Sequence, residues 1–266
     1  MEVTFIFIFI LILITVVIVS YLLMRYLKEE TDKTAQKTSI LKKQMTSNIA
    51  HELRTPVTSI RGYLETLLAC PDLPVEKQHA FIERAYNQTL RLSELISDMA
   101  LISKIEEKSS NFTKTEIDLF DVANEVFDEF SERVASKNVI VENNIMQGTL
   151  LNANRTLIYS ILRNLVENSL KYAGNDVVLH VESFYDVSSR IHYVTYYDTG
   201  AGVPDVHLER IFERFYRVSE GRTRDDGGSG LGLSIVRNAV AFHDGKISVA
   251  NRPEGGLVFS FSLSRD

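Results

Sequence analysis

His51, Glu52 and Thr55, in the run Ile49-Ala-His-Glu-Leu-Arg-Thr-Pro-Val57, bring a nucleophile, a base and a hydroxyl onto one turn of an expected helix. A neutral imidazole attacks through one ring nitrogen while the other carries a proton. Glu52 is the type of group that holds or accepts such a proton. Thr55 follows His51 by one helical turn and shares its face. Pro56 lacks the N–H that would bond to the Glu52 carbonyl, so a bend is expected there. Standing alone, this segment also describes a solvated helix surface. A zinc site is excluded, because His-Glu-Leu-Arg-Thr has no second histidine at i+4.

Four downstream segments carry further chemistry. In Asn164-Leu-Val-Glu-Asn168-Ser-Leu-Lys171-Tyr172, the residues Asn164, Asn168 and Lys171 fall on one helix face. An asparagine carbonyl is a hard oxygen ligand suited to Mg²⁺, which takes few protein ligands when it is carried by phosphates. Lys171 supplies charge to a phosphate. Asp198-Thr-Gly200-Ala-Gly202-Val-Pro204 follows an expected strand. A carboxylate there can accept from an exocyclic amine such as that of adenine, and the glycines let backbone approach a ligand. Ile211-Phe212-Glu-Arg-Phe215-Tyr216-Arg217 leads into the polar run 219–226, an anchor followed by a cover. Gly227-Gly228-Ser229-Gly230-Leu231-Gly232-Leu233-Ser234 opens a helix whose backbone N–H groups favour phosphate. It is neither a Walker A loop, lacking Gly-Lys-Ser/Thr, nor a dinucleotide fingerprint, since no strand precedes it.

These segments need elements to hold them. Leu41, Met45, Ile49, Leu53, Val57, Ile60, Leu64 and Leu67 recur at helical spacing. A turn at Cys70-Pro71-Asp72-Leu73-Pro74 separates them from a second helix bearing Phe81, Ile82, Ala85, Leu92, Leu95, Ile96, Met99 and Ile102. A lone hairpin buries little, whereas two hairpins close a four-helix core, so residues 41–110 are expected to form a homodimer. The polar stretch from Lys108 reads as a linker. Beyond it, helices over 119–136, 154–172, 206–215 and 231–242 alternate with strands over 139–145, 177–185, 191–197, 246–250 and 257–263. The fold class is α+β, with helices covering one face of a mixed sheet in an α/β sandwich over 115–266.

The first part of the chain is different. Val3 to Met24 reads VTFIFIFILILITVVIVSYLLM without a charge, enough for a transmembrane helix through a hydrocarbon core about 30 Å thick. Residues 25–40 read as a cytoplasmic linker. Arg25, Lys28 and Lys33 follow the span, so the remainder is expected in the cytoplasm, anchored to a membrane by a single pass. Cys70 is the single cysteine, which excludes an internal disulfide and suits a reducing compartment. A formal net charge of −6 argues against a nucleic-acid partner.

Taken in order, the segments resemble the sensor histidine kinases of bacterial two-component systems. HELRTP (51–56) is similar to that family's H box and NLVENSLKY (164–172) to its N box. DTGAGVP (198–204), IFERFYRV (211–218) and GGSGLGLSIV (227–236) are similar to its first glycine box, F box and second glycine box. The resemblance implies a dimeric phosphotransfer hairpin joined to an ATP-binding sandwich of the type shared with gyrase, a chaperone family and mismatch-repair ATPases. It implies that His51 accepts the phosphoryl group, that Asn168 holds Mg²⁺ and that Asp198 contacts adenine. Asn164, Lys171, Tyr172, Gly200, Gly202, Arg217, Gly228, Gly230, Leu231 and Gly232 would line the site for ATP. In the related ATPases a glutamate stands at the position of Asn164 and activates water. An amide cannot take a proton, so slow hydrolysis is expected here. The implied partner is the receiver domain of a response regulator, with Thr55 orienting water to dephosphorylate it. Two rival readings are a non-signalling ATPase of the same superfamily and a membrane-tethered nucleotide-binding scaffold. The stimulus, the identity of the partner, and transfer within or between protomers stay open.

Overall fold

A computed structural model describes residues 24–26, 28, 47–107, 112–218 and 228–264. The expected membrane span lies outside the described residues except for Met24, as does most of the 25–40 linker. Among the described residues, no helix is long and apolar enough to cross a membrane. The chain divides into two compact units, Met1–Thr55 and Pro56–Asp266. In the first, residues 24–26, 28 and 47–55 are helical.

Residues 47–69 are assigned as helix, α1, and the assignment continues on both sides of Pro56. A turn closed by the Leu73 N–H on the Cys70 carbonyl at 3.2 Å leads to α2, Val75–Glu106. Within the second unit, Tyr63 and Phe81 meet across this hairpin with ring centroids 5.9 Å apart. Ala85, Leu95, Ile102 and Ile105 of α2 are buried. Val57, Leu64, Leu68, Ile82, Tyr86, Leu90 and Ile96 are exposed, leaving the hairpin with an uncovered apolar stripe.

The sandwich begins with β1, Thr115–Asp118, followed by α3, Leu119–Glu129, and α4, Ser131–Ser136. Next come β2, Ile140–Asn143, β3, Leu150–Ala153, and α5, Arg155–Tyr172. The remainder is β4, Val178–Asp186, β5, Ile191–Asp198, α6, Asp205–Leu208, α7, Gly232–Phe242, β6, Ile247–Asn251, and β7, Leu257–Ser264. β1 and β3 form a two-stranded antiparallel ribbon, and the main sheet has the order β2-β4-β5-β7-β6. Only β2 and β4 run parallel in it, so the sheet is mixed as expected.

Alternation places Leu179, Val181, Val194, Tyr196, Phe259, Phe261 and Leu263 on the inner face, all buried. They meet the apolar side of α5 (Leu157, Ile158, Ile161, Leu162, Leu165, Val166) and Val236, Ala239 and Val240 of α7 in one core.

Four elements differ from the sequence expectation. The helix over 119–136 breaks at Phe130, which turns inward to burial with Arg133 and Arg163 over its ring. The helix over 206–215 is one turn long, and Phe215 takes a φ of 63°. β1 and β3 were not expected, because four-residue strands declare themselves only through pairing, here Thr115 with Ala153 through Asp118 with Leu150.

Candidate functional site

In the first unit, His51 is exposed while Glu52 and Thr55 are half-buried. The Thr55 hydroxyl donates to the His51 carbonyl at 3.3 Å, the back-bond open to a threonine inside a helix. The imidazole is thus presented to solvent.

In the second unit, α5 is the element on which the site is built. The Asn154 side chain caps it by accepting the Leu157 N–H at 3.1 Å. Because its apolar side is committed to the sheet, Asn164, Glu167, Asn168 and Lys171 are left on the opposite side. Asn164 Nδ2 donates to the Ser160 carbonyl at 2.7 Å, which fixes the amide. Lys171 Nζ pairs with Glu167 Oε1 at 2.7 Å, and Arg163 reaches Glu167 Oε2 at 3.3 Å. Burial pushes the Glu167 carboxyl upward, but Lys171 and Arg163 outweigh it and hold it below its ordinary value.

Asp198 ends β5 and is buried. Its Oδ2 accepts the Ser169 hydroxyl at 2.9 Å, and Ser169 Oγ in turn accepts the Tyr196 hydroxyl at 3.0 Å. Burial holds the Tyr196 phenol far above its ordinary value, so it stays protonated and donates. Asp198 Oδ1 accepts the N–H groups of Gly200 at 3.0 Å and Leu257 at 3.4 Å. The following turn packs against the end of α5, since a Cβ on Gly200 would stand 2.5 Å from Ala173 Cα. Gly202 has a φ of 71° and lies against Asn251. Asn251 accepts the Val203 N–H at 3.0 Å and donates to the Val203 carbonyl at 2.7 Å, clamping the turn from the β6–β7 hairpin.

The glycine loop closes the other end. Gly228 faces Lys171 and Tyr172, with its Cβ position 3.5 Å from Lys171 Nζ and 3.7 Å from the Tyr172 hydroxyl. Gly230, at a φ of 71°, accepts the Phe215 N–H on its carbonyl at 2.8 Å. Leu231 is buried, and Gly232 opens α7 against Asn164 Oδ1. Among the described residues no side chain caps α7, and the first N–H groups of a helix are the kind of donors that suit an anion. Ile211 and Phe212 anchor the preceding segment in the core, and half-buried Arg217 follows them. The 219–226 run lies outside the described residues.

The second unit therefore sets Asn164 against Gly232 at the start of α7, and Lys171 and Tyr172 against Gly228 in the preceding loop, with Gly230 and Leu231 between. Asp198, Gly200 and Gly202 sit by the C-terminal end of α5, and Asn168 lies between on the same helix. Sequence reasoning missed Ser169, Asn251 and Gly256. A Cβ on Gly256 would stand 1.9 Å from the Asp198 carbonyl oxygen, and the Gly-Gly pair at 255–256 was the available signal. Ser169 carried none, because its role depends on β5 arriving beside it.

Residues 47–55 thus carry an exposed histidine on a helix, and the second unit carries an α/β layer with a glycine loop leading into α7. Residues 41–108 match the "His Kinase A (phospho-acceptor) domain" family, and residues 153–266 match the "Histidine kinase-, DNA gyrase B-, and HSP90-like ATPase" family. The chain is 30% identical to the sensor histidine kinase WalK of Bacillus subtilis, over 84% of this chain and 36% of that protein. It is 31% identical to the signal transduction histidine-protein kinase BaeS of Escherichia coli, over 86% of this chain and 48% of that protein. The chain belongs to the sensor histidine kinase family, and it spans less than half the length of these two relatives. The Acinetobacter baumannii histidine kinase AdeS shares the fold with a TM-score of 0.67 at 24% identity, over 81% of this chain and 98% of that one. Histidine kinase ThkA, solved in complex with the response regulator TrrA, matches with a TM-score of 0.66 at 28% identity, over 91% of this chain and 66% of that one.

Proposed function

We propose that this chain is a protein-histidine kinase that phosphorylates its own His51 from ATP and passes the group to an aspartate of a response-regulator receiver domain. One ring nitrogen of His51 forms a bond to the γ-phosphorus as the bond from that phosphorus to the β–γ bridging oxygen breaks, and ADP leaves. Glu52 holds or takes the proton on the other nitrogen. Asp198, kept in place by Ser169, Gly200 and Leu257, accepts from the adenine amine. Lys171 and the first N–H groups of α7 receive the phosphates. Asn164 cannot serve as a base toward water, which favours transfer over hydrolysis.

Asn168 offers one amide oxygen, and the described residues hold no group of three or more metal-ligating side chains. That donor set suits Mg²⁺ carried by phosphates rather than caged by protein. When bound, the ion neutralises charge on the transferred group.

The exposed apolar residues between Val57 and Ile96 support a homodimer through the 41–110 domain, with 115–266 as the ATP-binding layer. The uncharged run 3–24 supports an inner-membrane anchor with the catalytic part in the cytoplasm. Thr55, on the His51 face, supports a second activity, dephosphorylation of the receiver domain.

The observation that carries the reading is the presence, in one chain, of exposed His51 beside Glu52 and of a glycine loop that faces Lys171 at Gly228 and opens α7 against Asn164 at Gly232. Incubation of the full chain with γ-labelled ATP should give acid-labile label in the wild type and none in His51→Gln. Label that persisted in the variant would overturn the assignment.

A further inference from the structure

The face of α2 turned toward the ATP-binding layer carries more than apolar side chains. Leu95, Ile102 and Ile105 are buried there, and Asp98 and Glu106 lie on the same side of the helix. Glu106 forms an ion pair with Arg214. Asp98 Oδ2 accepts the Ser229 hydroxyl at 3.3 Å, and Ser229 Oγ accepts the Leu231 N–H at 3.2 Å. A carboxylate from α2 thus stands one hydroxyl away from the donor end of α7. The N–H groups that follow Leu231 have no side-chain cap among the described residues, and to them nucleotide phosphates are assigned above.

The carboxylate is poorly accommodated. Burial pushes Asp98 up to about 6, Glu167 on α5 and Glu94 on α2 add to the rise, and the Ser229 bond and Arg163 on α5 oppose it. A partly desolvated anion beside two like charges is held by few compensating contacts. A polyphosphate arriving at the glycine loop adds further negative charge and takes the same donors.

We infer that Asp98 is a latch that competes with nucleotide phosphate for the glycine loop. Through Ser229 it holds the loop against α2 in the nucleotide-free form, and a phosphate-bearing adenine nucleotide displaces it. The inference rests on the nucleotide reading of this site and adds a regulatory contact to it.

The test is a binding titration of the full chain with Mg-ATP, Mg-ADP and adenosine, in the wild type, Asp98→Ala and Asp98→Asn. Asp98→Ala should bind ATP and ADP about five- to tenfold more tightly, the scale of one ordinary hydrogen bond lost from the unliganded form. Its affinity for adenosine, which has no phosphate to compete, should be unchanged. Asp98→Asn keeps the shape and removes the charge, so it should show a smaller gain of the same pattern and carries the test if the alanine variant unfolds. Unchanged ATP affinity in both variants, or an equal gain for adenosine, would overturn the latch while leaving the nucleotide site standing. A wild-type chain that bound none of the three ligands would overturn both.

Discussion

Gly232, the first residue of α7, lies so close to Asn164 on α5 that a Cβ added to it would stand 2.5 Å from Asn164 Oδ1. The amide cannot simply turn away, because its nitrogen is held by the Ser160 carbonyl at 2.7 Å. Gly232→Ala should therefore keep the fold, with an overpacking cost of about 1–3 kcal/mol, and weaken ATP binding by about tenfold or more through a displaced helix end. Thermal unfolding and an ATP titration check this. Wild-type affinity in the variant would show that the close approach has no part in binding.

Asp198 works only as an acceptor, toward Ser169 on one oxygen and toward Gly200 and Leu257 on the other. Asp198→Asn puts a donor where one of these donors points. Stability should fall by about 1–3 kcal/mol, the usual cost of a buried group left unpaired. Affinity for adenosine should fall with that for ATP, because the defect lies at the base. A loss confined to ATP would place the adenine contact elsewhere.

His243 gives a pH dependence unrelated to phosphoryl transfer. It is buried, its Nδ1–H donates to the Ala239 carbonyl at 2.7 Å, and its Nε2 accepts the Asn154 N–H at 3.0 Å. Burial lowers its pKa, and Lys114 adds to the lowering, against smaller opposing effects from the Ala239 carbonyl and Asp244. The unfolded chain takes up a proton near the ordinary value of about 6.5, while the folded chain stays neutral to lower pH. The stability His243 supplies is thus complete above about pH 6.5 and is lost as pH falls below it. Melting temperatures compared at about pH 7.5 and 5.5 should drop more in the wild type than in His243→Gln. Parallel drops would assign the acid sensitivity to other groups.

Thr55→Ala removes a hydroxyl that, among the described residues, donates to the His51 carbonyl at 3.3 Å. Alanine is the better helix former by about 0.5 kcal/mol, so stability should hold or rise slightly. Labelling of His51 should persist, and release of phosphate from a phosphorylated receiver domain should fall by about tenfold or more. Undiminished release would remove Thr55 from that reaction.

Much of this was legible in the chain itself. The long helices α2 and α5 declare themselves because apolar residues repeat at helical spacing over many turns. The central strands follow from alternation in Val178–Asp186 and Ile191–Asp198. The glycine loop is legible because glycines at 228, 230 and 232 have few other uses before a helix.

The amino-acid sequence by itself determined which groups could do chemistry: His51 with Glu52 and Thr55, Asn164 and Asn168 with Lys171, Asp198, and the glycines. Residue type and local spacing are enough for that. The tertiary structure alone decided which second partners hold them. Ser169 orients Asp198, Asn251 clamps the Gly202 turn, Gly256 leaves room for the Asp198 backbone, and Asp98 reaches Ser229. Each of these contacts joins residues far apart in the chain, and it exists only because sheet and helices bury a common apolar face. The same holds for β1 and β3 and for the break at Phe130, where pairing and burial outweigh local propensity.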